Sequence, residues 1–142
     1  MKDYGEGLSK QEGCGIAGIA LTHGNAALPL FYALYALQHR GQESAGIAVS
    51  SNLDGGIENE LPGKKRDITL VKGMGLVYQV FSPQQLELLN GNIGIGHVRY
   101  ATTGASRIEN ALPLLVNYRK GKIAIAHNGN LVNAMELRRE LE

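Results

Sequence analysis

Gly13-Cys14-Gly15-Ile16-Ala17-Gly18-Ile19-Ala20 contains the chain's one cysteine, and the reading of this stretch decides what is built around it. Small and apolar residues alternate after the thiol, as in a strand buried against another element, and the glycines let a second backbone come close. The pattern predicts a strand over 14–21 with Cys14 at its open start. A lone cysteine is most simply a small buried hydrophobe. At a strand's open end it can instead act as a nucleophile, provided a base lies beside it.

Before this stretch, Met1 to Gly13 is polar and glycine-containing, with Leu8 isolated, and reads as a leader or frayed end without the apolar run of a signal peptide. After it, Thr22-His23-Gly24-Asn25 is a turn. Ala26 to Arg40 then reads as a helix: Leu30, Leu34 and Leu37 keep the helical period, Phe31 and Tyr35 widen the stripe, Pro29 falls in the first turn and Gly41 closes the end. Strands are predicted over 46–51, 68–71, 92–100 and 122–126. Residues 52–67 read as an exposed excursion and 102–106 as a polar loop. Ser82-Pro83 has the pattern of a helix cap followed by proline at the first helical position, and a final helix is expected from Leu131 with Asn130 as its cap. Short glycine-rich strands with few helices favour an α+β sandwich of antiparallel sheets over a parallel wound sheet.

With 142 residues, 14 Lys and Arg against 13 Asp and Glu, and a net charge of +1, the chain has the size of one domain and no basic stripe for nucleic acid or anionic membrane. No apolar run approaches a membrane span, and the expected location is cytoplasmic. One cysteine makes neither a disulfide nor a zinc cage, and the four histidines show no ligand spacing, so no metal site is expected. Gly73-Met74-Gly75 and Gly94-Ile95-Gly96 fall short of a dinucleotide fingerprint.

Three further stretches carry chemistry. Arg99, closing His97-Val98-Arg99-Tyr100, either pairs with a surface carboxylate or offers its planar fork to a substrate carboxylate. His127-Asn128-Gly129-Asn130 is either a plain turn or a donor pair, the Asn128 amide and the Gly129 N–H, for an oxyanion. Gln38-His39-Arg40-Gly41-Gln42-Glu43-Ser44-Ala45-Gly46 reads by itself as a helix end with solvated charges. No histidine stands at a recognised spacing to activate Cys14. If the leader were removed, however, the new α-amino group, with an ordinary pKa of about 8, would lie beside the thiol and could take its proton.

Taken together and in order, the Cys14-Gly15-Ile16-Ala17-Gly18 start, the 37–46 stretch, Lys72-Gly73-Met74-Gly75-Leu76-Val77, Gly94 to Tyr100 and Ala126 to Leu131 resemble the N-terminal glutaminase domain of the amidophosphoribosyltransferase family. The resemblance implies an N-terminal-nucleophile hydrolase with a four-layer αββα fold, incomplete in this chain. It implies a leader over 1–13, part of a type 2 glutamine amidotransferase domain over 14–142, and the phosphoribosyltransferase domain absent. Cys14 would attack the glutamine side-chain amide, with its own amine as base. Asn128 and Gly129 would form the oxyanion hole, Arg99 and Thr102 would hold the α-carboxylate, and Arg40 would pack at the glutamine site. The family's aspartate for the glutamine amine would fall beyond Glu142. Phosphoribosylpyrophosphate, Mg²⁺ and an iron–sulfur cluster would belong to the absent domain, and the full-length protein would be a homo-oligomer. Two alternatives stand beside this reading: the glutaminase domain of another class II amidotransferase, and a non-catalytic module that keeps its leader.

Overall fold

The computed structural model describes residues 13–50, 67–100, 106–129 and 132–142. The leader up to residue 12, the excursion predicted over 52–67 up to residue 66, most of the polar loop, Thr102 and the Asn130 cap therefore lie outside the described residues.

The strand predicted at the cysteine forms as β1 (Gly15–Ala20), with Cys14 at its open start. It is an edge of a four-stranded sheet ordered β1, β4 (Ile93–Arg99), β2 (Ser44–Ser50) and β3 (Ile68–Met74), antiparallel throughout. A hairpin of β5 (Leu114–Tyr118) and β6 (Gly121–Ile125) forms a second sheet. Both sheets are antiparallel, as the short glycine-rich strands predict. The sequence reading contains no β5, and it stops β3 at Val71. Gly73 does not end that strand. Its missing Cβ makes room for Val80, which would lie 3.1 Å from one.

Helices α1 (Ala27–Ala36) and α2 (Val77–Val80) cover one face of the larger sheet. Leu30 and Leu34 of α1 are fully buried, and they pack with Ala45, Ile47, Val49 and Val98 of the sheet and with Val77, Val80 and Phe81. Glycines bring the helix close. A Cβ on Gly96 would stand 2.9 Å from Leu34, and one on Gly94 would stand 2.7 Å from Leu30. The close approach predicted for the glycine-rich strand is therefore made by α1. Alternation then turns Ile95, His97 and Arg99 to the opposite face. The predicted turn is held at Asn25, just before α1: Oδ1 accepts from the Ala27 N–H at 2.9 Å, while its amide donates to the Leu89 carbonyl at 2.8 Å.

The helix expected to run to Arg40 stops at Ala36, and a 3-10 turn takes over across Gln38–Arg40. Gln38 accounts for the break. Its amide donates to the Gly41 carbonyl at 2.5 Å, and its oxygen accepts from the Val77 N–H at 2.6 Å, tying the turn to the start of α2. Gly41 is extended rather than left-handed, with φ −157°, and its role is close approach: a Cβ there would collide with the Arg99 backbone.

Helix α3 (Pro83–Leu88) has the predicted cap. Ser82 Oγ accepts from the Gln85 N–H at 3.3 Å, and Gln85 Oε1 accepts from the Ser82 N–H at 3.0 Å. The last helix, α4 (Ala134–Leu141), begins three residues later than expected, after Asn133, whose side chain caps nothing.

Candidate active site

At the open end of β1, Cys14, Arg40, Asn128 and Gly129 of the predicted site residues come together. Gly15 pairs with Val98, which brings Cys14 alongside the end of β4, and the Tyr100 N–H donates to Cys14 Sγ at 3.4 Å. Arg40 comes in from the 3-10 turn, and its Nε donates to the Cys14 carbonyl at 3.3 Å. The Arg40 guanidinium and the Asn128 amide also flank the residue before the thiol: a Cβ on Gly13 would lie 3.6 Å from Arg40 Nη2 and 3.9 Å from Asn128 Nδ2. Gly129 follows Asn128 in an exposed bend. Cys14, Arg40, Asn128 and Gly129 are thus drawn to one edge from three separate stretches of chain.

Arg99 is half-way between its two sequence readings. It does pair with a carboxylate, but a buried one: Arg99 Nε lies 3.5 Å from Glu43 Oε2, and the two side chains are 12% and 8% exposed. The expectation of a helix end with solvated charges over 38–46 is therefore corrected at Glu43, whose charge is buried, and at the polar Gln38, which bonds inward. Both are used inward, because the strand that follows Glu43 is buried from Ser44 through Val49. Glu43 is held along its backbone as well, its N–H donating to the Arg99 carbonyl at 3.0 Å and its carbonyl accepting from Gly75 at 2.8 Å.

His97 is fully buried, and its Nε2 lies 3.2 Å from the His127 carbonyl. Burial pushes its pKa down to about 4. The hydrogen bond to His127 works the other way, and the charges of His127 and Arg99 add to the lowering. Sequence reasoning missed Glu43 and His97 as parts of this site. Their signal is parity: His97 and Arg99 share the strand face turned away from the glycines that receive α1.

Among the described residues, no group of three or more His, Cys, Asp or Glu is placed to hold a metal ion. No helix among the described residues is long and apolar enough to cross a membrane.

Cys14 thus stands at the start of an edge strand of a helix-covered antiparallel sheet, beside the Asn128-Gly129 bend, and the chain carrying this arrangement is similar to the class II glutamine amidotransferases. Residues 84–141 match the family model for class II glutamine amidotransferases. Within that class, the chain corresponds to the N-terminal domain of the amidophosphoribosyltransferases. It is 54% identical over 131 residues to the amidophosphoribosyltransferase of Methanothermobacter thermautotrophicus, covering 91% of this chain and 25% of that protein. Among solved structures it resembles the glutamine phosphoribosylpyrophosphate amidotransferase of B. subtilis complexed with ADP and GMP, at TM-score 0.65 and 41% identity, covering 91% of this chain and 24% of that one. A second, described as the allosteric regulatory enzyme of purine biosynthesis, matches at TM-score 0.69 and 41% identity over the same shares. The chain therefore spans about a quarter of the length of the curated relatives it matches.

Proposed function

We propose that this chain forms the glutaminase half of an amidophosphoribosyltransferase, releasing ammonia from glutamine for phosphoribosylamine formation elsewhere in the full-length protein. The observation that supports this best is the convergence of Arg40, Asn128 and the Tyr100 N–H on Gly13-Cys14.

In this reading, the Cys14 thiolate attacks the side-chain carbonyl carbon of glutamine, and the oxyanion is met by the Asn128 amide and the Gly129 N–H. Each such donor contributes roughly 3 kcal/mol of barrier lowering. Collapse of the adduct breaks the C–N bond, and the nitrogen leaves as ammonia with the proton taken from the thiol. Water then cleaves the thioester, giving glutamate and restoring the thiol. The proton carrier is the α-amine of Cys14. With Gly13 attached, that nitrogen is an amide with no basic lone pair, so the proposal includes removal of residues 1–13. Arg99 and Thr102 hold the substrate's α-carboxylate.

The test uses the full-length protein. Cys14→Ala should abolish glutamine-dependent phosphoribosylamine formation and leave the ammonia-dependent reaction intact, with the intact mass of the parent showing a chain that starts at Cys14. Glutamine-dependent activity surviving in Cys14→Ala would overturn the assignment. Activity in a chain still carrying Gly13 would overturn the α-amine as base.

A further inference from the structure

We infer that His97 is a positioning residue: its Nε2–H holds the His127 carbonyl and so fixes the Asn128-Gly129 bend relative to Cys14. This rests on the glutaminase reading given above. The bend follows β6, and His127, Asn128 and Gly129 are all exposed, so packing does little to place them. The thiol instead begins β1, in the other sheet. Donors that must meet a developing oxyanion need a fixed distance between those two parts, because a displacement of about 1 Å costs roughly a hundredfold in rate.

His97 spans that gap. It pairs with Ile16 of β1 on one side and Gly46 of β2 on the other, so its backbone belongs to the sheet that carries Cys14. Its side chain leaves that sheet on the face away from α1 and reaches the His127 carbonyl at 3.2 Å. A carbonyl only accepts, so Nε2 must carry the hydrogen and the ring is the neutral Nε2–H tautomer. Nδ1 is buried and has no hydrogen-bond partner among the described residues. The hydrogen bond drawn from this fully buried imidazole is therefore the one to His127. The carbonyl it holds belongs to the same planar peptide group as the Asn128 N–H and Cα, so the bond fixes the Asn128 Cα from which the side-chain amide branches and after which the peptide bearing the Gly129 N–H follows.

The chemistry sets the form of the test. Oxyanion donors act in the transition state more than in the ground state, so loosening them lowers kcat and leaves KM nearly unchanged. In the full-length protein, His97→Leu should lower kcat for glutamine hydrolysis about 10- to 100-fold per folded enzyme, with KM for glutamine within about threefold. His97→Gln, whose amide N–H can reach the same carbonyl, should recover most of that loss. A kcat within about threefold of the parent in His97→Leu, or equal damage in the Leu and Gln variants, would overturn the inference while leaving the glutaminase reading intact. If His97→Leu does not fold, the parent supplies the readout. In ¹⁵N-histidine-labelled protein at neutral pH, the His97 ring should be the neutral Nε2–H tautomer; an Nδ1–H tautomer or an imidazolium would overturn the inference. No glutamine hydrolysis by the correctly processed parent would instead remove the glutaminase reading, and the inference with it.

Discussion

Glu43 and Arg99 form an ion pair at 3.5 Å with 8% and 12% of their side chains exposed, and backbone hydrogen bonds to both neighbouring strands fix the carboxylate's position. Removing one member of so buried a pair leaves the other charge uncompensated, at a cost of about 3–5 kcal/mol. Glu43→Gln should therefore lower the stability measured by denaturant by about 3 kcal/mol. Adding Arg99→Leu should cost much less than it does alone, giving a coupling energy of about 1–3 kcal/mol. Additive losses would show that the two side chains act separately.

The glycines of the larger sheet should separate by what surrounds them. At Gly46 a Cβ would collide with the Leu112 carbonyl, which is backbone and cannot give way. At Gly96 it would meet Leu34 side-chain atoms at 2.9 to 3.1 Å, and at Gly18 nothing lies within 4 Å. Gly46→Ala should prevent folding or destabilise the most, Gly96→Ala should cost about 1–3 kcal/mol, and Gly18→Ala should change stability by less than about 1 kcal/mol. Unfolding midpoints of the three variants would check the order, and a costly Gly18→Ala would refute it.

The helix-covered half of the fold was legible because its signals are local and repeated. Leu30 and Leu34 fall at helical spacing, Ser82 with Gln85 spells a capping box, a β-branched run marks β3, and isoleucines alternating with glycines mark β4. The β5–β6 hairpin was half hidden. Its connection, Arg119-Lys120, lacks the Asn-Gly or Asp-Gly signature of a tight turn, and its strands expose Leu114, Val116, Ile123 and Ile125 instead of alternating cleanly. At the site, Cys14, Arg99 and Asn128 could be singled out by residue type and Arg40 through the family resemblance, but not their partners. Nothing near Glu43 in sequence announces that its counter-charge stands at Arg99, and nothing near His97 announces the His127 carbonyl. Such pairings are set by strand order β1-β4-β2-β3, which no local pattern encodes.

His97 also predicts an acid limit to stability. In the fold its pKa is pushed down to about 4, chiefly by burial, whereas in the unfolded chain it returns to the ordinary value near 6.5. Above the unfolded value both states hold a neutral ring and the fold keeps its full stability. Between about pH 6.5 and pH 4 only the unfolded chain takes up the proton, so stability falls with falling pH, by up to about 3 kcal/mol. Denaturant titrations from pH 8 to 4 should show this loss, and His97→Gln should flatten it in that window. An equal slope in the variant would assign the loss to other groups.

Arg40 offers the sharpest separation of charge from shape. Its Nε donates to the Cys14 carbonyl at 3.3 Å, and the other end of the same planar group lies beside residue 13, where Nη2 would stand 3.6 Å from a Cβ. Lysine keeps the charge but offers a single point of donation, which cannot reach the strand start and its surroundings together. Arg40→Lys should therefore leave stability within about 1 kcal/mol while lowering kcat/KM for glutamine about 10- to 100-fold, because the start of β1 is no longer held where the thiol must attack. Steady-state kinetics on the full-length protein, with folding checked by thermal denaturation, would decide the matter: an unchanged kcat/KM would mean that Arg40 contributes only its charge.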